Sequence, residues 1–161
     1  PGDAIVGIPS SGIHSNGLTL ARKIVEDYSD YDTHLKTDKS LGAELLTPTR
    51  IYSESLSVCA TTPIHGMCHV TGGGLLNFTR LTRYGFRFTN PIIPPEIFRW
   101  LQKTGGIDDN EMYRTFNMGM GYAYILPESG VPAVMANVPG AQVVGVIVQE
   151  PGVFLKNKEI Y

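Results

Sequence analysis

Apolar positions along the chain recur at two spacings, and each change of spacing marks an element. Residues 3 to 8, DAIVGI, are a short β-branched run closed by Pro9 and two serines, which predicts a buried strand followed by a turn. Leu18, Ala21, Ile24, Val25 and Tyr28 then fall on one face at helical spacing, with Arg22, Lys23, Glu26 and Asp27 opposite. Residues 16 to 28 are thus predicted as a helix packed along one stripe. Residues 29 to 39 are polar and without a period, and predict an exposed loop. LGAELL, residues 41 to 46, predicts a short helix stopped by Pro48, and Ile51, Leu56, Val58 and Cys59 predict a second one beginning near Thr49.

GMCHVT, residues 66 to 71, predicts another strand, and GGGLLNFTRLT leads from it into a helix. YGFRFT, residues 84 to 89, alternates aromatic with other side chains, as strands do. PPEIFRWLQKTGG predicts a helix with two prolines at its start and Gly105 at its end. MGMGYAYIL and AQVVGVIVQ predict two further strands, and GVFLKN a last one. Helices separate the early strands while the late strands adjoin, which predicts an α+β domain with a mixed β-sheet flanked by helices. No repeat, low-complexity tract or linker divides residues 1 to 161, so they read as a single domain.

Composition narrows the function classes. With 42% hydrophobic and 17% charged residues, 161 residues suit one ordinary globular domain that needs no disulfide staple. Thirteen Lys and Arg against fifteen Asp and Glu argue against nonspecific attraction to nucleic acid or an acidic membrane, so any anion site must be local. Cys59 and Cys68 have no spacing for zinc or a disulfide framework, and read as buried thiols in a reducing compartment. No apolar run approaches the roughly 20 residues of a membrane helix, and the start PGDAIVG does not look like a signal peptide. A cytoplasmic location is the expectation. The chain opens on Pro1 with its first residues already approaching a buried strand, so it is expected to be part of a longer protein.

Two turns carry the candidate chemistry. In residues 10 to 17, SSGIHSNG, a helix starting at Ser15 or Asn16 would leave its first N–H groups without intrahelical partners, beside the positive end of the helix dipole. A phosphate or carboxylate fits there. Ser10, Ser11 and Ser15 add hydroxyl donors, Gly12 permits a tight turn, and His14 can donate a hydrogen bond or move a proton near neutral pH. The same residues also suit a plain strand-to-helix turn capped by Ser15 or Asn16. Residues 69 to 76, HVTGGGLL, repeat the order strand, glycine turn, helix, but lack the Lys and Ser/Thr of a nucleotide loop. Three successive glycines admit either a ligand or a closely packed backbone. Two such turns at one end of a sheet can grip one extended ligand from both sides.

Other residues are open to plainer readings. His69, inside a predicted strand, suits a hydrogen-bonded core histidine, while His65 and His34 fall in loops. Met112, Phe116, Met118 and Met120 read as core filler, and Asn117 among them must find hydrogen-bond partners. Arg50 and Arg114 suit a phosphate, or surface pairing with Glu44 and Glu111. The carboxylates form no cluster suited to magnesium, so no metal site is expected in this chain.

Taken in order, GIPSSGIHSNG with LTLARKI, LLTPTRIY, GMCHVTGGGLLNF, PPEIFRWLQKTGGID and EMYRTFNMGMG resemble the successive motifs of the C-terminal half of the phosphoribosylformylglycinamidine cyclo-ligase, or aminoimidazole ribonucleotide synthetase, family. The resemblance runs from residue 2 to about residue 126 and is looser after Pro127. It implies the fold of that superfamily's C-terminal domain. It also implies closure of an imidazole ring, in which ATP activates the formyl oxygen of formylglycinamidine ribonucleotide, the amidine nitrogen attacks and phosphate leaves. By position, Ser10, Ser11, Gly12, His14, Ser15, Asn16 and Gly17 match the family's serine, histidine and asparagine motif, expected to face the ribonucleotide phosphate or the amidine. Thr71, Gly72, Gly73 and Gly74 match its second glycine turn, and Asn117 and Gly119 its cleft-lining segment. His14 is the first choice for handling a proton or orienting the amidine, and His69 the second.

In the family, ATP and Mg²⁺ are held chiefly by an N-terminal domain that also mediates dimerisation, and these residues contain no counterpart to it. The resemblance therefore implies a half that completes the cleft and is inactive alone. Its expected partners are the ribonucleotide substrate, the N-terminal domain and a second subunit of a homodimer. A stand-alone module that binds a phosphorylated metabolite without chemistry is the alternative, since the sequence offers a phosphate cradle but no metal ligands.

Overall fold

The structure, a computed structural model, describes residues 1–156 and 158–160. Its strands are β1 (Ala4–Pro9), β2 (Gly66–His69), β3 (Gly85–Phe88), β4 (Met120–Leu126), β5 (Gln142–Val148), β6 (Val153–Leu155) and β7 (Lys158–Glu159). They form one sheet in the order β2-β4-β1-β5-β3-β6-β7. Every neighbouring pair is antiparallel except β3 and β6, so the sheet is mixed, as predicted. The helices are α1 (Leu18–Tyr28), α2 (Leu41–Leu45), α3 (Glu54–Thr61), α4 (Glu96–Gly105), α5 (Asp109–Thr115) and α6 (Val131–Asn137).

Strand β1 is central and buried on both faces, which is why it reads as an unbroken apolar run. Ile5 packs with Phe78, Phe86 and Ile125 on one side, while Val6 and Ile8 pack with Tyr52, Val58 and Val134 on the other. A third cluster joins Ala21, Ile24 and Val25 of α1 to Phe98 and Leu101 of α4 and to Met112 and Phe116. All four predicted fillers, Met112, Phe116, Met118 and Met120, are buried.

Several boundaries differ from the sequence reading. Helix α1 begins at Leu18, not at Ser15 or Asn16: Gly17 precedes it in the left-handed region, at φ 73°, and no side chain caps it. Tyr28 ends that helix 66% exposed, off the buried stripe. Pro48 favours extended backbone before it, and α3 starts only at Glu54. Val58 is its one buried residue; Leu56 is 79% exposed, and Ile51 and Cys59 also face outward. Cys59 is therefore not the buried thiol predicted, whereas Cys68 is buried and burial pushes its thiol up to about 12. The helix after the glycine run is a tight 3-10 helix, Gly74–Arg80. Helix α4 ends at Gly105, as predicted, and Gly106 caps it in the left-handed region at φ 62°. Of the predicted strand GVFLKN, only Val153–Leu155 is extended, and Asn157 lies outside the described residues.

Candidate functional site

Strands β1 and β2 flank β4 and run antiparallel to it, so they run parallel to each other. The turns that follow them leave the same end of the sheet and meet: Asn16 Oδ1 lies 3.1 Å from where a Cβ on Gly72 would stand.

The first turn is wound around Asn117, which is 2% exposed. Its Oδ1 accepts from Ser10 Oγ at 2.9 Å and Gly119 N at 2.8 Å, and its Nδ2 donates to Gly12 O at 2.8 Å and Ile13 O at 3.2 Å. Ser10 N also donates to Gly119 O at 2.8 Å. Ser11 Oγ donates to Pro48 O at 2.6 Å and accepts from Arg50 N at 3.0 Å. The Ser10 and Ser11 hydroxyls thus hold the loop, each donating its proton within the protein. Asn117 and Gly119 stand behind it, with their polar groups engaged by protein.

Other polar groups of the turn are less engaged. The first intrahelical bond runs from Ala21 N to Gly17 O, leaving the amides of Leu18, Thr19 and Leu20 without an intrahelical acceptor. Ser15 Oγ, exposed, shares a hydrogen bond with Thr49 Oγ1 at 3.3 Å. His14 sits in the left-handed region, at φ 63°, and is 4% exposed. Its Nε2 accepts from Ser11 N at 3.2 Å, which assigns the proton of the neutral ring to Nδ1. That Nδ1 is buried and has no partner among the described residues. Burial first, and the nearby His69 second, lower the His14 pKa to about 4. At neutral pH His14 is therefore an uncharged donor.

The second turn is partly used up internally. Thr71 O accepts from Gly74 N at 2.9 Å, Gly73 O accepts from Leu76 N at 2.9 Å, and buried Asn77 donates to Gly74 O at 2.8 Å. A side chain on Gly74 would collide with the Tyr113 carbonyl, so packing accounts for this glycine. Gly72 alone of the three is exposed, and it abuts Asn16.

His69 ends β2 and is exposed, so it is not a core histidine. Its ring centroid lies 6.4 Å from that of His14 and 5.7 Å from that of Tyr52. Tyr52 stacks on Tyr122 at 5.1 Å and donates to Pro9 O at 3.3 Å, and burial pushes its phenol up to about 12. The Arg50 guanidinium lies 5.2 Å over the Tyr52 ring, bonds Pro9 O at 3.3 Å and pairs with Glu54 rather than Glu44. The sequence reading missed Tyr52 and Tyr122. No local pattern singles out Tyr52, because the segment between α2 and α3 is irregular and its contacts come from β1 and β4. His65 lies at the other end of β2, paired with Asp3 at 2.7 Å, and His34 bridges to Ser40 in the polar loop.

Among the described residues, no three His, Cys, Asp or Glu side chains are grouped to hold a metal ion, and no helix is long and apolar enough to cross a membrane. A cavity of about 870 Å³ is bordered by Ile92, Arg99, Tyr113 and Lys158, and the Tyr113 carbonyl also backs Gly74 of the second turn. It contains none of the histidines, and the chemistry converges at the turns instead.

Residues 1–158 match the family described as AIR synthase related protein, C-terminal domain. The chain is 52% identical over 160 residues to the phosphoribosylformylglycinamidine cyclo-ligase of Methanosarcina barkeri, covering 97% of this chain and 47% of that protein. The Pyrococcus furiosus enzyme of the same name is 40% identical, with 98% and 47% covered. The chain thus spans about half the length of the curated relatives it matches. Among solved structures, thiamine monophosphate kinase from Aquifex aeolicus superposes with a TM-score of 0.57 at 12% identity, covering 98% of this chain and 51% of that one. A structure of that kinase complexed with AMPPCP and TMP superposes equally well, at 13% identity over 98% and 48%. The hydrogenase maturation protein HypE of Escherichia coli gives 0.55 at 18% identity, over 96% and 45%. At these identities the likeness is one of fold.

Proposed function

We propose, from the premise that the chain belongs to the AIR synthase related C-terminal domain family, that it is the C-terminal half of an ATP-dependent cyclo-ligase that converts formylglycinamidine ribonucleotide to aminoimidazole ribonucleotide. The observation that carries the reading is the meeting of two turns at one end of the sheet, the first of which holds the open start of α1 and a buried His14 Nδ1–H that has no partner among the described residues.

The helix-start amides, with Ser15 and Asn16, bind the negatively charged oxygens of the substrate. His14, neutral, donates from Nδ1 to an oxygen on which negative charge develops, so it orients and stabilises rather than taking a proton. His69, exposed at the mouth with a side chain that makes no hydrogen bond within the described residues, is left to move the proton released when the amidine nitrogen attacks. Ser10, Ser11, Gly12, Gly17, Asn117 and Gly119 shape the first turn, and residues 71 to 74 bring the second against it. ATP supplies the phosphoryl group that activates the formyl oxygen. The residues present do not fit its Mg²⁺, and both belong to the N-terminal half that the longer relatives carry. That half also makes the homodimer, in the cytoplasm.

The test is ATP-dependent ring closure by the longer chain, or by this one mixed with an N-terminal half. His14→Ala is expected to lower kcat about 100-fold, the effect of removing one preorganised donor. An unchanged rate would remove His14 from the reaction.

A further inference from the structure

His14, His69 and Tyr52 form a triangle of rings with centroid separations of 6.2, 6.4 and 5.7 Å. His69 is exposed, but Tyr52 is buried and fixed on every side: stacked on Tyr122, hydrogen-bonded to Pro9 O and covered by the Arg50 guanidinium. His14 meanwhile occupies the left-handed backbone region, uncommon for any residue but glycine though more accessible to histidine than to most. Its one side-chain hydrogen bond, from Ser11 N, leaves ring rotation and water access to be settled by packing.

We propose that Tyr52 is a positioning residue for His14: as the third corner of the triangle, its ring shuts water away from the imidazole and fixes the orientation in which Nδ1–H faces the site. Position 121 shows how tightly the two rings are set together. A Cβ there would overlap the Tyr52 hydroxyl and lie 2.6 Å from His14 Cε1, so glycine leaves the space that both rings fill. Arg50 and Ser11 link the same assembly to the loop, because Ser11 Oγ accepts from Arg50 N while Ser11 N donates to His14. The other ionisable groups around the triangle are His69 on β2, Tyr122 and Tyr124 on β4 with Cys59 and Cys68 nearby, and Arg50 and Glu54 beside Tyr52. The proposal rests on the reading of His14 as a neutral donor, but its test needs no turnover.

The test is the NMR titration of the His14 imidazole in this chain, together with its nitrogen shifts, which report the tautomer. In the parent, His14 is expected to titrate at about 4, with the proton on Nδ1 and cross-peaks from the Tyr52 ring to His14 Hε1. Tyr52→Leu removes the ring and is expected to raise the midpoint by about one unit or more, toward the ordinary value of about 6.5, and to mix the tautomers. Tyr52→Phe keeps the ring and is expected to leave both readouts in place. A Tyr52→Leu chain that titrates as the parent does, or a Tyr52→Phe chain that shifts as far as the Leu chain, overturns the proposal. So does the absence of ring cross-peaks in the parent, a result that does not depend on any variant folding. His14→Ala retaining full ring closure would defeat the functional reading while leaving the Tyr52 effect standing, so the two failures are separable.

Discussion

A buried histidine whose charged form is disfavoured makes stability depend on pH, and the sign follows from its direction of shift. His14 is held at about 4 in the folded chain against 6.5 unfolded, so its contribution is fully present above about pH 6.5 and is lost as pH falls toward 4. Comparing the parent with His14→Gln in urea isolates this contribution: their difference in unfolding free energy is expected to change by about 3 kcal/mol, to the parent's disadvantage, between pH 7 and pH 4. A difference that stays constant would mean that His14 titrates alike in both states. His14 was legible as a candidate from its company of glycines and hydroxyls. Its neutrality was not, because that depends on burial by distant parts of the chain and on His69.

The first turn behaves as an element because one buried amide ties it together. Asn117 was legible as needing partners, since an amide between Phe116 and Met118 has no apolar use, but which groups it meets lies 104 to 107 residues away in sequence. Asn117→Leu strands two loop carbonyls, the Gly119 amide and the Ser10 hydroxyl, and is expected to lower stability by about 2–4 kcal/mol with an unchanged denaturant slope. Amides 10 to 17 should also lose hydrogen-exchange protection before those of β5 do. A loss below about 0.5 kcal/mol would show that the turn is held by something else. Strands were the best-read elements, because β1 and β5 carry short β-branched runs. Helix α6 was legible in principle, since Pro132 suits a first turn and Val131, Val134 and Val138 recur at helical spacing, but at seven residues it offers a short pattern; α3 is shorter than its apolar residues suggest because only Val58 turns inward.

At the scale of the molecule, the mixed sheet and its flanking helices follow from the order of strand-like and helix-like segments, but strand order does not. Only pairing tells that β4, far along the chain, inserts between β1 and β2 and thereby sets their two turns side by side. The functional reading depends on that juxtaposition more than on any single residue, since Asn16 of the first turn meets exposed Gly72 of the second only through it. Amide chemical shifts during titration with ribose 5-phosphate test it most directly. Shifts are expected to concentrate at residues 14 to 20 and at Gly72, with no comparable change around Arg99 and Lys158. Shifts confined to that second cavity, or none at either turn as the ligand is raised to tens of millimolar, would contradict a sugar-phosphate site between the two turns.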